Sequence, residues 1–245
     1  MSQRATTTYP TGDPGAVDRF VVAVDVVLLS VVDGKLRTVL VRRGEEPFSG
    51  DWALPGVAVR SGEALEDAAA RALADKARLN ETFLEQLYTF GIPDRDPRSR
   101  AISVSYYALV PELALRAALD ESSELVLAVI DHDGIHHPDG RELAPAFDHA
   151  RILATAVERI RGKLDYSSVG FELLPRRFPL RELQAIHETI LGQPLNKDSF
   201  RRRMITSGRV RATGVREVDT PYRPAELYEF APPGESTQAN ETETR

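Results

Sequence analysis

The segment from Gly56 to Asn80 constrains the fold of this chain more than any other stretch. It overlaps a short, largely apolar run, Ala53 to Val59, whose length and composition predict a strand. After Gly62-Glu63, the Ala-rich stretch from Ala64 to Ala77 places apolar side chains at helical spacing and predicts a helix. The sequence therefore predicts a strand, a loop and a helix in direct succession.

This succession resembles the central motif of Nudix hydrolases. That family has Gly, five residues, Glu, seven residues, and then Arg-Glu-hydrophobic-any-Glu-Glu-any-Gly. Glu63 and Arg71 are separated by the required seven residues and fix the register. In this register the three glutamates of the family's helix are replaced by Ala72, Asp75 and Lys76.

The replaced glutamates decide what chemistry is expected. In the family they share one helix face and hold Mg²⁺, which polarises a pyrophosphate and activates water. One carboxylate, one methyl group and one ammonium group do not make that site, so we expect no catalytic residues and no bound metal. The alternative is an enzyme, a Nudix-type diphosphohydrolase of ADP-ribose or a similar dinucleotide, in which Glu63, Glu66 and Asp75 hold a weaker metal site.

A lost metal site does not imply a lost ligand. We predict an effector site in which Lys76 neutralises a diphosphate where the metal would lie, helped by Arg42, Arg43 or Arg78. The alternative is that Lys76 is a solvated helix residue that pairs with Asp75 or with nothing. Trp52, the only tryptophan, is a candidate for stacking on a nucleobase, with buried packing as the alternative. Arg95, Arg98 and Arg100 form a cluster in a predicted loop that either closes over the ligand or is simply charged and exposed, and of the three we include Arg100 in the site. The effector is expected to be a nucleotide, with no further cofactor.

The charge of the chain is unevenly distributed. The formal net charge is −6, but the stretch from Asn196 to Arg216 contains seven basic residues and one acidic residue, so the remainder carries −12. Such an asymmetry indicates an anionic partner for one part of the chain, although a solvated basic helix face has the same composition.

The basic stretch belongs to a predicted winged helix. Leu180 to Leu191 has a helical apolar face, and Asn196 is a plausible N-cap for a second helix. A predicted strand, Arg209 to Thr213, a loop, Gly214 to Arg223, and a returning strand, Ala225 to Phe230, then form a wing. The residues expected to contact DNA are Lys197, Ser199, Arg201, Arg202, Arg209, Arg211 and Arg223. The alternative is a winged helix that contacts protein.

The remaining elements are predicted from local patterns. Phe20 to Ser30 and Arg37 to Val41 read as a hairpin around an Asp-Gly turn, and Ile102 to Val110 as a further strand. From Ala146 to Leu164 apolar residues follow a helical period and predict a connecting helix. Its apolar seam packs either on its own chain or on a second copy.

The predicted fold class is an α/β Nudix-like domain, with a mixed sheet and flanking helices, followed by an α+β winged helix-turn-helix domain. The Nudix-like domain is expected at residues 19–145, the connecting helix at 146–165 and the winged helix at 166–230. Residues 1–18 and 231–245 are polar and are expected to be disordered. The sequence has no apolar run of membrane-spanning length, no secretory signal and no cysteine, so we expect a cytoplasmic protein without a membrane partner.

A Nudix domain with an altered motif, joined by a helix to a basic winged helix, resembles the Nudix-related transcriptional regulators of the NrtR type. The stretches that carry the resemblance are Leu40 to Gly44, Trp52 to Gly56, Leu87 to Gly91, Ala146 to Ala150, Phe171 to Pro175, Phe200 to Arg202 and Arg223 to Tyr228. The resemblance implies a homodimeric repressor that binds a palindromic operator in double-stranded DNA and releases it on binding ADP-ribose or a related NAD metabolite. It also implies target genes of NAD biosynthesis or salvage.

One position departs from the family. Val57 replaces the second glycine of the usual Pro-Gly-Gly, and its Cβ atom is expected to crowd a phosphate that approaches the backbone. This substitution places the identity of the effector in question.

Overall fold

A computed structural model describes residues 19–79, 83–119, 123–218 and 223–232. The segments predicted to be disordered, 1–18 and nearly all of 231–245, lie outside these residues. Ala231 is described, is buried, and donates its backbone N–H to the carbonyl oxygen of Arg209. Within the described part of the chain, no helix has both the length and the apolar composition needed to cross a membrane.

The N-terminal domain is built on an eight-stranded mixed sheet. Strands β1, Val21–Val32, and β2, Lys35–Arg42, form a hairpin closed by Asp33 and Gly34. Both turn residues have positive φ, 51° and 68°, as a two-residue type I′ turn requires. The predicted hairpin is therefore confirmed, with longer strands and a tighter turn.

The other strands extend the sheet in the order β5-β6-β1-β2-β7-β8, and β1 runs parallel to β6. Their bounds are β5 Phe83–Phe90, β6 Ala101–Leu109, β7 Leu125–Ile130 and β8 Ile135–His136. Two short strands, β3 Trp52–Ala53 and β4 Gly56–Ala58, pair with β2 and β1 respectively. They replace the single strand predicted from Ala53 to Val59, which is interrupted at Leu54-Pro55.

Both faces of the sheet are covered. Val24, Val26 and Leu28 of β1 belong to a core cluster with the small side chains of helix α1, Leu65–Ala72. Val27 and Leu29, which point to the opposite face, belong to a second cluster with the connecting helix. Helix α2, Glu112–Leu119, follows β6.

Helix α1 ends in an unusual turn. Leu73–Ala77 is a π-helical turn, and Arg78 stops it in the left-handed region at φ 56°. The predicted helix from Ala64 to Ala77 is thus present in two parts. A π turn widens the helix locally and is common at functional sites; here it contains Asp75 and Lys76.

The connecting helix α3, His149–Lys163, contacts both domains. Lys163 is paired with Glu85 of β5 at 2.5 Å, and the Arg161 guanidinium donates to the Ile190 carbonyl oxygen at 2.8 Å. The apolar residues of α3, Leu153 and Val157 among them, are buried in its own chain. Ala150 and Ala154, also predicted to lie in the apolar seam, are exposed.

The C-terminal domain is a winged helix. Helix α4 is Leu180–Leu191, as predicted, and α5 is Lys197–Thr206, capped by the Asn196 side chain. The wing strands β10, Val210–Arg216, and β11, Glu226–Phe230, pair with each other, and β11 pairs with the short β9, Phe178–Pro179. Strand β10 is longer than predicted, and residues 219–222 of the predicted wing loop lie outside the described residues. The mixed sheet followed by this winged helix confirms the predicted fold class.

Candidate functional site

Two adjoining cavities open in the N-terminal domain. The larger, about 380 Å³, lies between the end of β2, the β3–β4 loop and the π turn after α1. The smaller, about 160 Å³, lies between β1, the loop at 95–98 and the start of α3. Arg43, Leu54 and Gly56 line both. A Cβ atom at Gly56 would lie 2.2 Å from the Asp25 carboxylate, so only glycine fits at the shared wall.

The larger cavity brings together three of the predicted effector residues. Arg42, Arg43 and Lys76 line it, together with Asp75. Arg43 is oriented by its bond to the Pro47 carbonyl oxygen at 2.9 Å. Lys76 is exposed and has no hydrogen-bond or ion-pair partner among the described residues. Arg78 lines it as well, and so do Glu45 and Glu124, so the cavity presents four basic side chains beside three acidic ones.

Trp52 and Arg100, the other two predicted effector residues, lie elsewhere. Trp52 is half-buried against the core cluster that contains α3, which is the packing alternative. The Arg100 guanidinium donates to the carbonyl oxygens of Gly91 and Ile92, at 2.8 and 3.1 Å, and so anchors the start of its loop. Neither residue lines either cavity.

The smaller cavity contains two members of the arginine cluster that the sequence places on a loop, whereas Phe147 was not predicted as a site residue. Arg95 and Arg98 line it together with Phe147. Two guanidinium groups lie close to the Phe147 ring, whose centroid is 4.7 Å from Arg43 Cζ and 5.8 Å from Arg98 Cζ. The arginine-rich loop was visible in the sequence, but which of its arginines points inward depends on the loop conformation.

Val57 is accommodated within the sheet. It is paired with Val24 across β4 and β1, and its side chain packs against the cluster under α1. It also contributes to the wall of the smaller cavity and not to that of the larger one. The expected crowding therefore concerns a ligand group in the smaller cavity.

The remaining carboxylates of the Nudix-like motif do not converge. Glu63 forms a bidentate pair with Arg71, at 2.7 and 2.8 Å, which with the Arg60 N–H lowers the pKa of Glu63 to about 2. Glu66 accepts a hydrogen bond from the Tyr106 hydroxyl at 3.2 Å. Among the described residues, the group of three potential ligands that meets geometric criteria for a metal is the exposed Asp131, His132 and Asp133, far along the chain from this motif.

A basic cleft of about 740 Å³ lies between α5, the start of α4 and the wing. Three predicted DNA contacts, Lys197, Arg201 and Arg223, line it. Arg181 and Arg216 line it as well and were not predicted as contacts. Arg216 was visible as part of the basic stretch, whereas Arg181 precedes that stretch and gave no charge signal.

Arg201 is oriented within the cleft by the wing. Its Nη2 donates to the Tyr228 hydroxyl at 3.2 Å, and that hydroxyl donates to Glu226 at 2.9 Å. These hydrogen bonds connect α5 to strand β11, so α5 forms one wall of the cleft and the wing forms the other.

The other predicted DNA residues lie outside the cleft. Ser199 and Arg202 are exposed on α5, and the Ser199 backbone N–H is bonded to the Asn196 cap at 2.9 Å. Arg211 forms an ion pair with Glu229 at 2.7 Å on the wing.

Arg209, also predicted to contact DNA, is bonded within its own chain. Its guanidinium donates to the carbonyl oxygens of Asp165 and Ser167 and lies over the Phe171 ring, 5.4 Å from the centroid. Burial lowers the pKa of this half-buried side chain. The sequence predicted that Arg209 contacts DNA from the wing. In the structure its guanidinium connects the wing to the segment after α3, and Arg209 is not among the residues that line the cleft.

The architecture matches known families. Residues 19–147 match the Nudix domain, and residues 170–230 match the NrtR DNA-binding winged helix domain. The chain is 36% identical over 210 residues to the ADPR responsive transcriptional repressor NtrR of Acinetobacter baylyi, which covers 85% of this chain and 81% of that protein. The chain belongs to the NrtR family. The resemblance seen in the sequence is thereby confirmed.

Solved structures agree with this membership. The crystal structure of Shewanella oneidensis NrtR complexed with a 27mer DNA superposes with a TM-score of 0.76 at 34% identity, covering 86% of this chain and 94% of that one. The basic cleft therefore belongs to an NrtR-type DNA-binding domain.

The Nudix domain also has an enzyme among its relatives. An ADP-ribose pyrophosphatase of Methanocaldococcus jannaschii is 34% identical over 85 residues, which is 35% of this chain and 48% of that protein. This member of a family of transcriptional regulators therefore has a Nudix domain that is similar to part of an ADP-ribose pyrophosphatase.

Proposed function

We propose that this NrtR family member is a cytoplasmic repressor that binds a palindromic operator as a homodimer and releases it when ADP-ribose or a related NAD metabolite enters the Nudix cavity. The observation that carries the proposal is a cation-lined cavity and a basic winged-helix cleft joined by α3 in one chain. Genes of NAD biosynthesis or salvage are the proposed targets, because a regulator of a pathway commonly senses one of its metabolites.

The effector is bound without hydrolysis in this proposal. Ala72 is fully buried, so the first glutamate position of the motif faces the core and not the cavity. The other two positions supply one carboxylate, Asp75, beside an ammonium group, Lys76. These residues do not fit the carboxylate cluster that holds Mg²⁺ in the hydrolases, so we derive no metal-dependent step. Lys76, Arg42 and Arg43 instead neutralise the diphosphate as hydrogen-bond donors.

Hydrolysis of ADP-ribose or a similar dinucleotide is the second candidate function. It is favoured by the similarity to the M. jannaschii pyrophosphatase and by the position of Asp75 in the cavity wall. Release of AMP at ordinary turnover in the presence of Mg²⁺, and its loss in Asp75→Asn, would establish this second function. We expect no such turnover.

The operator is bound mainly through phosphates in this proposal. Lys197, Arg201, Arg216 and Arg223 surround one cleft between α5 and the wing. Winged helices of this kind place the second helix in the major groove, and cations at its flanks fix the register on the backbone. Two copies of the domain then recognise two half-sites related by a two-fold axis.

The experiment that tests the proposal is selection from a pool of random duplexes, with and without ADP-ribose, followed by sequencing of the retained DNA. We expect a palindrome that is enriched by the wild-type chain and is lost when ADP-ribose is added. A chain with Lys197→Ala and Arg223→Ala is the matched control and is expected to enrich nothing. An absence of enrichment at low salt, or an enriched palindrome indifferent to every NAD metabolite added, would overturn the proposal.

A further inference from the structure

Asp148 is the N-cap residue of α3, but its side chain does not cap the helix. Aspartate is among the strongest N-cap residues, because its carboxylate accepts from the free N–H groups of the first turn. Asp148 occupies the N-cap position of α3 but makes no side-chain capping bond. Its two carboxylate oxygens are bonded instead to Arg95, at 2.8 Å from Nη2 and 3.2 Å from Nε.

Arg95 lines the smaller cavity and is bonded to Asp148 at the start of the connecting helix. Its side chain is only 4% exposed, and it also reaches Asp25 of β1 at 3.2 Å. Asp25 is held in turn by the Ser103 hydroxyl at 2.6 Å. Arg95 and Asp25 line the smaller cavity, whereas Asp148 does not. A ligand in this cavity therefore contacts Arg95, while Asp148, outside the cavity, is bonded to the same guanidinium.

The neighbours of Asp148 also reach the cavity walls. Phe147 has φ 58°, a left-handed conformation that is costly for a bulky residue, and its ring lines the smaller cavity. His149 Nδ1 accepts the Leu54 backbone N–H at 2.9 Å, and Leu54 belongs to the wall shared by both cavities. Phe147, Asp148 and His149 are thus all held by contacts with residues of the cavity wall. In this conformation α3 has no side-chain cap, and Phe147 has a strained backbone.

We infer that the Arg95–Asp148 pair couples the cavity to the winged helix. A diphosphate oxygen that reaches the smaller cavity past Arg43, which lines both cavities, accepts from Arg95 and breaks its bonds to Asp148. The freed carboxylate caps the first turn of α3, and Phe147 leaves the left-handed region. The start of α3 then changes position, and the change reaches the C-terminal domain because Arg161 of α3 is bonded to the Ile190 carbonyl oxygen of α4.

Both arrangements satisfy the charges, which is why the element has two states. Asp148 pairs either with Arg95 or with the N–H groups of the helix, and Arg95 pairs either with Asp148 or with the ligand. A ligand shifts such an equilibrium by as much as its affinities for the two arrangements differ. The inference rests on the proposed function, because it explains how the same cavity releases the operator.

The decisive variant is Asp148→Asn. Asparagine caps a helix about as well as aspartate but does not pair bidentately with arginine. The helix start is then released whether or not ligand is bound. We expect the ratio of operator Kd values with and without ADP-ribose, typically 5–150-fold for coupled sites, to fall to within about threefold of one.

Two further chains complete the test. Arg95→Lys retains the buried positive charge but not the two-pronged contact, so we expect it to remain folded and to have an intermediate ratio. Asp96→Asn is the matched control, because Asp96 lines the same cavity and is bonded to Arg98 in the same loop, at 2.7 Å, but no hydrogen bond or ion pair joins it to α3 among the described residues. It is expected to retain the wild-type ratio whatever its own affinities become. Hydrogen exchange at the first-turn amides of α3 is measured in parallel and should respond to ADP-ribose in the wild type but not in Asp148→Asn.

The outcomes separate the inference from the proposed function. The wild-type chain alone decides the function, and a wild type that keeps its operator in ADP-ribose overturns both. If the wild type releases the operator and Asp148→Asn releases it with the same ratio, the inference is wrong and the function stands. An equal loss of coupling in Asp96→Asn would also overturn it, because the effect would then belong to the whole loop.

Discussion

At position 76 the chain has an ammonium group where Nudix hydrolases have a metal-binding carboxylate. Lys76 lines the larger cavity, is exposed, and has no partner among the described residues. A diphosphate that enters would supply one, and hydrogen bonds to charged groups contribute about 1.5–3 kcal/mol. Lys76→Ala is therefore expected to weaken ADP-ribose binding about tenfold or more in calorimetry.

Lys76→Arg is the control for this prediction, because it retains the charge at a similar distance and is expected to lose less affinity. Titrations in EDTA and in Mg²⁺ should give the same wild-type affinity. Binding that requires Mg²⁺, or that is indifferent to Lys76→Ala, would mean that the ammonium group does not take the place of the metal.

The register of the Nudix-like motif predicted part of this site, whereas the rest depends on where the side chains of the charged loop point. Lys76 was placed by its position relative to Glu63 and Arg71, and the contact between those two residues keeps the register in the fold. No such constraint fixes where a side chain on a loop points. Arg95 is buried between two carboxylates while Arg100 is bonded to backbone, although the two are five residues apart in the same charged loop.

At the scale of elements, some basic residues of the winged helix line the cleft and others are bonded within the chain. Lys197 and Arg223 line the cleft, whereas Arg209 is bonded to backbone carbonyl oxygens after α3. Each cation on a phosphate contributes about one unit to the slope of log K against log[salt]. Lys197→Ala and Arg223→Ala are expected to lower that slope by about one unit each, measured by fluorescence anisotropy on the operator.

Arg209→Ala is the contrasting variant. It should leave the salt slope unchanged and lower the midpoint of thermal unfolding, because it leaves two carbonyl oxygens of the segment after α3 without their donor. A reduced slope in Arg209→Ala, or an unchanged slope in both cleft variants, would contradict the assignment of the cleft as the phosphate-binding surface.

Helices were predictable where caps and apolar periodicity agree. Both signals coincide at α4, whose Gly192 has φ 70° beyond the last turn, and at α5, which begins at its Asn196 cap. Strand β5 had no predicted counterpart, because it is an edge strand with an irregular burial pattern and lacks a clean two-residue alternation. The π turn after α1 has no local signal, since its extra residue is fixed by the packing of Leu73 and Ala77.

At the scale of the molecule, the two domains share one hydrophobic core cluster. It contains Leu29 of the mixed sheet, Leu153 and Ile160 of α3, and Leu183 and Phe200 of the winged helix. Close-packed interiors transmit displacements because they leave no free volume to absorb them. A change at the start of α3 therefore has a packed path to the DNA-binding helices, which are not a separate body on a flexible linker.

The coupling between the two ligands is reciprocal, whatever path carries it. If ADP-ribose weakens operator binding by some factor, the operator must weaken ADP-ribose binding by the same factor, because both describe one thermodynamic cycle. We expect calorimetric titrations of ADP-ribose into free protein and into protein saturated with operator to differ by the factor measured in the DNA assay. A duplex of equal length and scrambled sequence is the control, since it occupies the cleft weakly at moderate salt and should leave the affinity for ADP-ribose nearly unchanged. Unequal factors would mean that the two assays do not measure one common equilibrium, for instance because ADP-ribose and DNA act on different oligomers, since a single thermodynamic cycle permits only one coupling constant.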